Sequence, residues 1–410
     1  MNIAIIGAGV VGIATAHALI DEGHSVLLID KGQPGAGTSR GNAGTIAHTD
    51  IMPLASPGLI GKVAGYMLDP LGPLAIRPQY LPQLLPWLAR FLLASRPGQI
   101  ERSIRGIVPL QALSMAAWDR RLAALGLKGE LNHRGFLYCF DNAREFEKAK
   151  TVYDRQRNLG IEVQLFDRDG TLELEPELAD TFVGSALFPA VAHVNDPFEL
   201  SQKLVASLRQ RGAAVIERDV MGVGLDGADP WIASSDGTVL QADRVVIATG
   251  AWSKHLAKGL GDHVPLETER GYNATMTDPG VTFNRPVLFE GHGFVITPLK
   301  TGLRVGGAVE LASVDAAPNW ARVDALLKKA KSFVPGLSQD GRKDWMGCRP
   351  SLPDSLPVIS LSRATPRVLY AFGHAHHGLT QAAATAELIA AMIAGRETAI
   401  DVAPYSAQRF

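Results

Sequence analysis

Short apolar runs separated by glycine dominate this chain, and their spacing predicts alternating strands and helices. Residues 3–6 form an apolar run typical of a buried strand. A stripe at Val11, Ala14 and Ala18 follows at helical spacing, and residues 26–29 form a second buried run. The chain therefore begins with a predicted strand–helix–strand unit.

The same patterns predict the elements of the remaining chain. They are helical material from about 59 to 125, a strand at 135–140, a polar helix at 143–159, a capped amphipathic helix after Asn195, strands at 213–217, 239–248 and 368–372, and an Ala-rich helix at 378–395. Strand-like runs at 293–297 and 303–306 suggest a mixed sheet that roofs the active site.

A glycine turn of the form G-x-G-x-x-G follows the first strand, at Gly7, Gly9 and Gly12. The first glycine permits the tight turn, the second lets the backbone approach a pyrophosphate, and the third lets the helix pack closely on the sheet. Asp30 ends the second strand, where an acid grips a ribose hydroxyl. Further glycine turns follow the strands near residues 248 and 372. These turns predict a dinucleotide-binding domain assembled from the beginning, middle and end of the chain.

Composition narrows the class of protein. The chain has 410 residues, 42 glycines and 25 prolines, and 46% of its residues are hydrophobic, which predicts two or three globular cores. Lys and Arg number 40 against 41 Asp and Glu, so nothing indicates a nucleic-acid partner. The two cysteines indicate a reducing, cytoplasmic setting, and we expect neither a signal peptide nor a membrane span.

Residues 51–105 are rich in Leu, Pro and Gly, with arginines along and after the apolar part. One interpretation is a set of short, core-facing helices broken by proline. The other is a basic, apolar surface that rests on a bilayer, which would make the protein peripheral on the cytoplasmic face of the inner membrane.

Six segments in order carry a family resemblance over nearly the whole chain. They are the first glycine turn with Asp30, residues 38–44 (TSRGNAG), 73–78 (PLAIRP), 248–253 (ATGAWS), 347–359 (GCRP, then PDSLPVI) and 373–380 (GHAHHGLT). Together they resemble the FAD-dependent D-amino-acid dehydrogenases of the D-amino-acid oxidase and glycine oxidase superfamily. Within that branch the sequence is most similar to D-amino-acid or D-hydroxyproline dehydrogenases.

The resemblance implies an α/β fold with an FAD-binding, Rossmann-like domain of the glutathione-reductase type and an α+β substrate domain with a mixed or antiparallel sheet. Both domains are expected to be discontinuous. The FAD-binding segments are 1–50, 190–260 and 345–410. The substrate segments are 51–189, with a helical insertion at 51–125, and 261–344.

The implied cofactor is FAD, held without a covalent bond. A cysteine near Cys348 is bonded to the flavin in sarcosine-oxidase relatives, so attachment there is an alternative to a buried, inert thiol. The residues expected to contact FAD are Gly7, Gly9, Val10, Val11, Gly12, Asp30, Lys31, Thr38, Ser39, Asn42, Ala43, Gly44, Val220, Thr249, Gly250, Trp252, Gly373, His376, Gly378, Leu379 and Thr380.

Arg349 is the predicted substrate clamp, because a guanidinium matches a carboxylate with two parallel hydrogen bonds. Tyr272 is expected either to donate a second bond to that carboxylate or to serve packing alone. His374 and His376 are expected to line the flavin pocket or receive the substrate's amine proton, with ordinary turn residues as the alternative. We expect no metal, since no acidic or cysteine partner has suitable spacing.

The predicted reaction is hydride transfer from Cα of a D-amino acid, such as D-proline or hydroxy-D-proline, with a quinone or respiratory chain as acceptor. One alternative is a glycine, sarcosine or D-amino-acid oxidase that reduces oxygen to peroxide. Another is a non-catalytic, flavin-carrying subunit of an electron-transfer complex.

Overall fold

The structure is a computed structural model that describes residues 1–55, 72 and 74–410. Its strands in chain order are β1 (Asn2–Ile6), β2 (Ser25–Asp30), β3 (Thr45–Ile46), β4 (Leu74–Ile76), β5 (Leu131–Asn132), β6 (Phe136–Phe140), β7 (Gln164–Asp167), β8 (Gly184–Phe188), β9 (Ala192–Val194), β10 (Ala214–Glu217), β11 (Val220–Asp226), β12 (Asp229–Ser234), β13 (Val239–Gln241), β14 (Arg244–Ile247), β15 (Glu267–Met276), β16 (Val287–Phe289), β17 (Phe294–Leu299), β18 (Gly302–Leu311), β19 (Lys343–Ser351), β20 (Val358–Leu361) and β21 (Val368–Phe372). Its α-helices are α1 (Val10–Asp21), α2 (Leu81–Ala94), α3 (Pro97–Ala124), α4 (Ala143–Asn158), α5 (Arg168–Leu174), α6 (Pro197–Gln210), α7 (Ser253–Gly259), α8 (Ala321–Phe333) and α9 (Gly378–Ile393).

The first sheet draws its strands from three distant parts of the chain, in the order β10-β2-β1-β14-β21-β20. Neighbouring strands are parallel, except that β20 runs antiparallel to β21. Helices α1 and α9 cover one face, and α7 with the antiparallel sheet β11-β12-β13 covers the other. Because both faces are covered, successive residues of β1 from Ile3 to Ile6 are all buried.

The second large sheet has the order β19-β15-β18-β17-β16-β6-β8-β7, and β4 adds to β18 in parallel. It is mixed, since β6 and β16 are also parallel while the other pairs are antiparallel. Helix α8 packs on it through Val323, Leu327 and Ala330. A small antiparallel sheet, β3-β9-β5, lies apart from both. The predicted α/β fold class, with a mixed second sheet, is confirmed.

Most local predictions agree with the structure. Helix α6 is capped by Asp196, whose Oδ1 accepts hydrogen bonds from the backbone N–H groups of Phe198 at 2.8 Å and Glu199 at 2.9 Å. The predicted single strand at 239–248 is wrong. It divides into β13, which pairs antiparallel with β12, and β14, which lies between β1 and β21 in the first sheet.

The predicted helical stretch from about 59 to 125 is correct for α2 and α3 and wrong for β4. Residues 56–71 and Pro73 lie outside the described residues, so the beginning of that stretch is not compared. Helix α3 packs against α9, and Trp118 donates its indole N–H to the carbonyl of Leu379 at 2.8 Å. These contacts make α3 part of the layer that covers the first sheet. The sequence prediction, in contrast, places this helix in the substrate-domain segment 51–189. The domain limits themselves stay a prediction.

Within the described part of the chain, no helix combines the length and the apolar character needed to cross a membrane.

Candidate active site

A cleft of about 1110 Å³ lies between the two large sheets. The strands β1, β2, β14 and β21 are parallel, so their carboxyl ends meet at one edge of the first sheet. The segments that follow these strands line the cleft, as do β15, β18 and β19 of the second sheet. A cleft at the carboxyl edge of a parallel sheet is the usual ligand site of such folds.

The turn after β1 requires its glycines. Gly7 has a φ of +103°, and a Cβ there would collide with the backbone of Ala248. A Cβ on Gly12 would collide with the carbonyl oxygen of Gly7, so this glycine serves the close contact between α1 and the sheet. A Cβ on Gly9, in contrast, would meet only Ser39 Oγ, at 3.3 Å, beside the cleft.

Asp30 links β2 to that turn. Its carboxylate accepts hydrogen bonds from the N–H groups of Ala8 at 2.6 Å and Gly32 at 3.2 Å. Burial raises the pKa of Asp30, and these backbone hydrogen bonds oppose the rise. The contacts fix the carboxylate in the cleft and leave acceptor capacity for a ligand hydroxyl.

The loop after β2 closes over the N-terminus of α1. Ser39 Oγ accepts the N–H of Val10 at 2.9 Å, and Thr38 donates to the carbonyl of Cys348 at 2.8 Å. Arg304 on β18 donates to the carbonyl of Asn42 at 2.7 Å. The loop is thereby tied to α1 and to the second sheet.

The structure brings most of the predicted cofactor residues to the cleft. Those that line it are Gly7, Gly9, Val10, Val11, Asp30, Lys31, Thr38, Ser39, Asn42, Ala43, Val220, Thr249, Gly250, Trp252, Gly373, His376, Gly378 and Leu379. Gly12, Gly44 and Thr380 do not line it. Thr380 Oγ1 accepts the N–H of Ala47 at 3.0 Å, so this side chain braces the surrounding backbone.

Arg349 lies in the cleft near the end of β19, and its guanidinium makes no hydrogen bond or ion pair with any described residue. It lies against Gly271 on β15, where a Cβ would be 2.6 Å from Arg349 Nη2. Burial lowers the pKa of this guanidinium, and the negative charge of Glu269 opposes that shift. Because a half-buried cation that makes no hydrogen bond or ion pair with a described residue is unfavourable, the geometry indicates an anionic ligand.

Tyr272 does not present its hydroxyl as predicted. Its side chain is 1% exposed, and the hydroxyl donates to Glu310 Oε2 at 2.6 Å and accepts the N–H of Asn319 at 3.1 Å. Glu310 also pairs with Arg77 at 2.8 Å and with the fully buried Arg270 at 3.0 Å. We therefore correct the expected bond from Tyr272 to a substrate carboxylate: this hydroxyl is committed to a buried charge network.

His374 and His376 both line the cleft, but they differ in burial and in hydrogen-bond partner. His374 is buried, its Nε2 lies 3.0 Å from Thr385 Oγ1, and burial lowers its pKa to about 3. His374 is thus a poor proton acceptor at neutral pH, so we correct the expectation that it receives the substrate's amine proton. His376 is exposed, and its Nε2 lies 3.4 Å from Asp50 Oδ2.

The expectation that these histidines lack an acidic partner is also wrong. Asp50 approaches both His376 and His377, and one ligand-capable atom of each of the three lies within 4.8 Å of the others. Gln111 Nε2 lies 3.3 Å from His377 Nδ1, and His377 Nε2 lies 3.7 Å from Asp50 Oδ2, which is beyond hydrogen-bond distance. Only the fold shows this grouping, since Asp50 is far from the histidines in sequence.

Comparisons with known proteins agree with this geometry. The chain matches the family described as FAD dependent oxidoreductase over residues 2–392. A D-amino-acid oxidase from Bradyrhizobium diazoefficiens is 33% identical, over 100% of this chain and 99% of the relative. A D-amino acid dehydrogenase from Rhizobium rhizogenes is 28% identical over 100% of both chains. The solved glycine oxidase of Geobacillus kaustophilus shares the fold, with a TM-score of 0.79 at 23% identity over 100% of this chain and 98% of the neighbour.

The chain belongs to the family of FAD-dependent oxidoreductases. The resemblance found in the sequence and the expectation of FAD as cofactor are confirmed. As an FAD-dependent oxidoreductase, the protein is an enzyme whose bound flavin exchanges electrons with a substrate.

The residues around the glycine turn fit FAD. Ser39 accepts the N–H of Val10 and Gly9 supplies no side-chain cap to α1, so the next N–H groups at the N-terminus of this helix are available to a pyrophosphate. Asp30 is placed to accept from the ribose hydroxyls. Lys31 lies 3.9 Å above the ring of Trp252, and Val220 also lines the cleft.

Cys348 is buried, and burial raises the pKa of its thiol. The cleft is lined by its neighbours Gly347 and Arg349, whereas Cys348 is absent from the lining and alternates to the other face of β19. This position favours the inert thiol over attachment to the flavin. His292 pairs with Asp141 at 2.8 Å away from the cleft lining.

Several cleft residues were missed from the sequence. Glu269 on β15 and Arg304 on β18 bring charge to the cleft, and burial lowers the pKa of Arg304 to about 10. Trp345 lies against Gly41 and Gly347, where a Cβ would collide with its ring. The apolar wall is formed by Leu54, Leu74, Ile76, Trp87, Leu88, Phe91 and Leu92. No local motif marks these positions, because strand register and helix placement bring them together.

Acid sensitivity of the fold should decrease in a His374→Gln variant. The unfolded chain binds a proton at this ring near pH 6.5, whereas the folded chain does so only near pH 3, so His374 lowers stability as the pH falls through that window. Loss of the ring should reduce the slope of the unfolding free energy against pH by up to about 1.4 kcal/mol per pH unit. Urea unfolding at pH 7, 6 and 5 measures it. The exposed His263→Gln variant should keep the wild-type slope.

Proposed function

We propose that this FAD-dependent oxidoreductase oxidises the Cα–N bond of a D-amino acid. The observation that carries the proposal is the Arg349 guanidinium, which is half-buried in the cleft, makes no hydrogen bond or ion pair with a described residue and lies across Gly271. A carboxylate binds such a guanidinium with two parallel, charge-assisted hydrogen bonds. When bound, FAD supplies the acceptor for the hydride that leaves Cα.

The chain's own residues position the substrate and exclude water. Arg349 holds the carboxylate and so limits the orientations of Cα in the cleft. The apolar wall around Trp87 and Phe91 keeps the site dry and receives an apolar side chain. A compact cyclic substrate such as D-proline or hydroxy-D-proline suits such a wall. The D configuration is supported by the names of the sequence relatives, a D-amino-acid oxidase and several D-amino acid dehydrogenases.

We further propose that electrons pass to a quinone or another respiratory acceptor. Helix α2 supports this assignment: Trp87 and Phe91 face the cleft, and Leu85 and Leu93 face outward with exposures of 56% and 49%. An apolar acceptor dissolved in a membrane would thus meet an apolar helix beside the flavin site. Oxygen is the second candidate acceptor, and the 33% identical D-amino-acid oxidase favours it.

A panel of D- and L-amino acids with an artificial dye acceptor tests the proposed function. We expect several D-amino acids, D-proline among them, to reduce the dye and to bleach the flavin under anaerobic conditions, and L-amino acids to do neither. Peroxide formed in air at the dye-linked rate would identify oxygen as the acceptor. No bleaching with any amino acid would contradict the proposal and leave the flavin-carrying subunit as the alternative.

Membrane contact through α2 should depend on its outward leucines. The double variant Leu85→Asp, Leu93→Asp should lose at least about tenfold in binding to anionic phospholipid vesicles, because apolar area is replaced by charges that anionic lipids repel. Co-sedimentation measures the bound fraction. A matched control is Leu159→Asp, since Leu159 is 47% exposed elsewhere on the surface. Equal vesicle binding by all three proteins would contradict contact through α2.

A further inference from the structure

Two opposite charges face the cleft from neighbouring strands without forming an ion pair. Glu269 on β15 is the cross-strand partner of Arg349 on β19, and both side chains line the cleft. Cross-strand partners project from the same face of a sheet, with Cβ atoms about 4.5–5.5 Å apart. Their charged atoms are nevertheless more than 4.0 Å apart, so they do not form an ion pair.

Gly271 explains this separation. It follows Glu269 by two residues on β15 and so faces the same side of the strand. The guanidinium of Arg349 lies against Gly271, in space that any side chain would fill. The cation therefore lies beside the next cleft-facing position along β15, and the Glu269 carboxylate has no hydrogen bond to a described residue.

The neighbouring carboxylate on the same strand behaves differently. Glu267 accepts a hydrogen bond from the hydroxyl of Tyr80 and pairs with Lys254 at 2.7 Å, and it does not line the cleft. The strand thus carries one carboxylate that is neutralised within the protein and one that faces the ligand space. This contrast makes Glu269 the group that a ligand cation would meet.

We propose that Glu269 binds the α-amino group of the substrate and takes its proton, while Arg349 binds the carboxylate. This inference rests on the proposed function and names its substrate class, a zwitterion with adjacent anionic and cationic groups. In the proton step the N–H bond of the ammonium breaks, a bond forms between that hydrogen and a Glu269 oxygen, and the electron pair stays on nitrogen. The neutral amine can then release the Cα hydride to oxidised FAD as its C=N bond forms.

Several other charged or titratable groups on the two sheets and the adjoining helices have separate contacts. Arg304 on β18 is directed to the loop carbonyl of Asn42, and His374 after β21 is bonded to Thr385. His376, also after β21, faces Asp50. Lys254 at the start of α7 and Tyr80 before α2 face Glu267, and Glu310 on β18 faces Arg77 and Arg270.

Glu269→Gln tests the proton transfer in the FAD-loaded enzyme. For the D-amino acid that the wild type oxidises best, the kcat/KM of the variant should be about 100-fold lower at pH 7. This is the lower end of the rate loss expected when a general base is removed. The loss should shrink at least tenfold toward pH 10, where the substrate amine is already neutral. The matched control Glu267→Gln should lower stability and keep the wild-type pH profile.

Binding provides a readout besides turnover. Calorimetry with 2-aminoisobutyrate and 2-hydroxyisobutyrate compares an amine with a hydroxyl, and neither ligand has a Cα hydrogen to lose. The wild type should bind the amino acid at least about tenfold more tightly, and Glu269→Gln should bind both equally. If the wild type oxidises amino acids but Glu269→Gln keeps its pH profile and its preference for the amine, this inference is wrong and the proposed function stands. A wild type that oxidises no amino acid contradicts the proposed function itself.

Discussion

Substitution of Arg349 by alanine should lower kcat/KM for the best amino acid substrate by about 10²- to 10⁴-fold. Removal of one partner from an enclosed charge pair costs about 3–5 kcal/mol, because the remaining carboxylate is left desolvated without a cation. The fold should survive, since the guanidinium makes no hydrogen bond or ion pair with a described residue whose loss would unfold the chain. Steady-state kinetics with a dye acceptor, together with the flavin absorbance per protein, measure both quantities.

Two further variants make this expectation specific. Arg349→Lys keeps the charge without the planar fork, so its activity should lie between those of the wild type and Arg349→Ala. Arg342→Ala serves as a matched control, because Arg342 immediately precedes β19 and pairs with Asp344 at 2.7 Å outside the cleft. It should leave kcat/KM unchanged. An Arg349→Ala enzyme with wild-type apparent affinity would show that the carboxylate binds elsewhere.

The parts of the site that the sequence predicts correctly are those that one segment builds alone. The turn at Gly7 and Gly12 is such a case, because the positive φ of Gly7 and the contact of Gly12 with the Gly7 carbonyl arise within the strand, the turn and the helix that follow one another. The cap of α6 at Asp196 is another, since its partners are two and three residues away.

The parts that the sequence did not predict depend on register between distant segments. Tyr272 looked available for a substrate because nothing near it in sequence occupies its hydroxyl, yet β18 brings Glu310 within 2.6 Å. No local motif marks Glu269, and only the pairing of β15 with β19 makes it the neighbour of Arg349. Such pairings follow from strand order across a sheet, which single-sequence patterns do not specify.

The wrong helix prediction at β4 also results from pairing between distant segments. The residues 74–76 lie in a Leu- and Pro-rich stretch whose composition suggested helix, but they extend along β18 in parallel. Arg77 then reaches Glu310 and the carbonyl of Ala317. The end of β18 beyond its pairing with β17 and a buried carboxylate thus override the local preference of three residues.

Replacement of Gly9 by valine should remove FAD from a protein that still folds. The backbone of Gly9 has φ −72° and ψ 175°, which a valine adopts readily, and a Cβ there would meet only Ser39 Oγ at 3.3 Å. The added branches would occupy the place where a pyrophosphate meets the N-terminus of α1. Loss of two such charge-assisted hydrogen bonds, at about 1.5–3 kcal/mol each, weakens FAD binding by more than about 100-fold. Flavin absorbance after purification and after incubation with FAD measures the loss.

A variant of Gly12, another glycine of the turn, distinguishes cofactor loss from unfolding. Gly12→Val should lose both flavin and fold, because its Cβ would collide with the carbonyl oxygen of Gly7. Gly129→Val should keep both, since nothing lies within 4 Å of a Cβ at that position. Thermal unfolding should therefore place Gly9→Val with the wild-type apoprotein and Gly12→Val far below it. A Gly9→Val protein that retains FAD with wild-type affinity would mean that the pyrophosphate does not approach this turn.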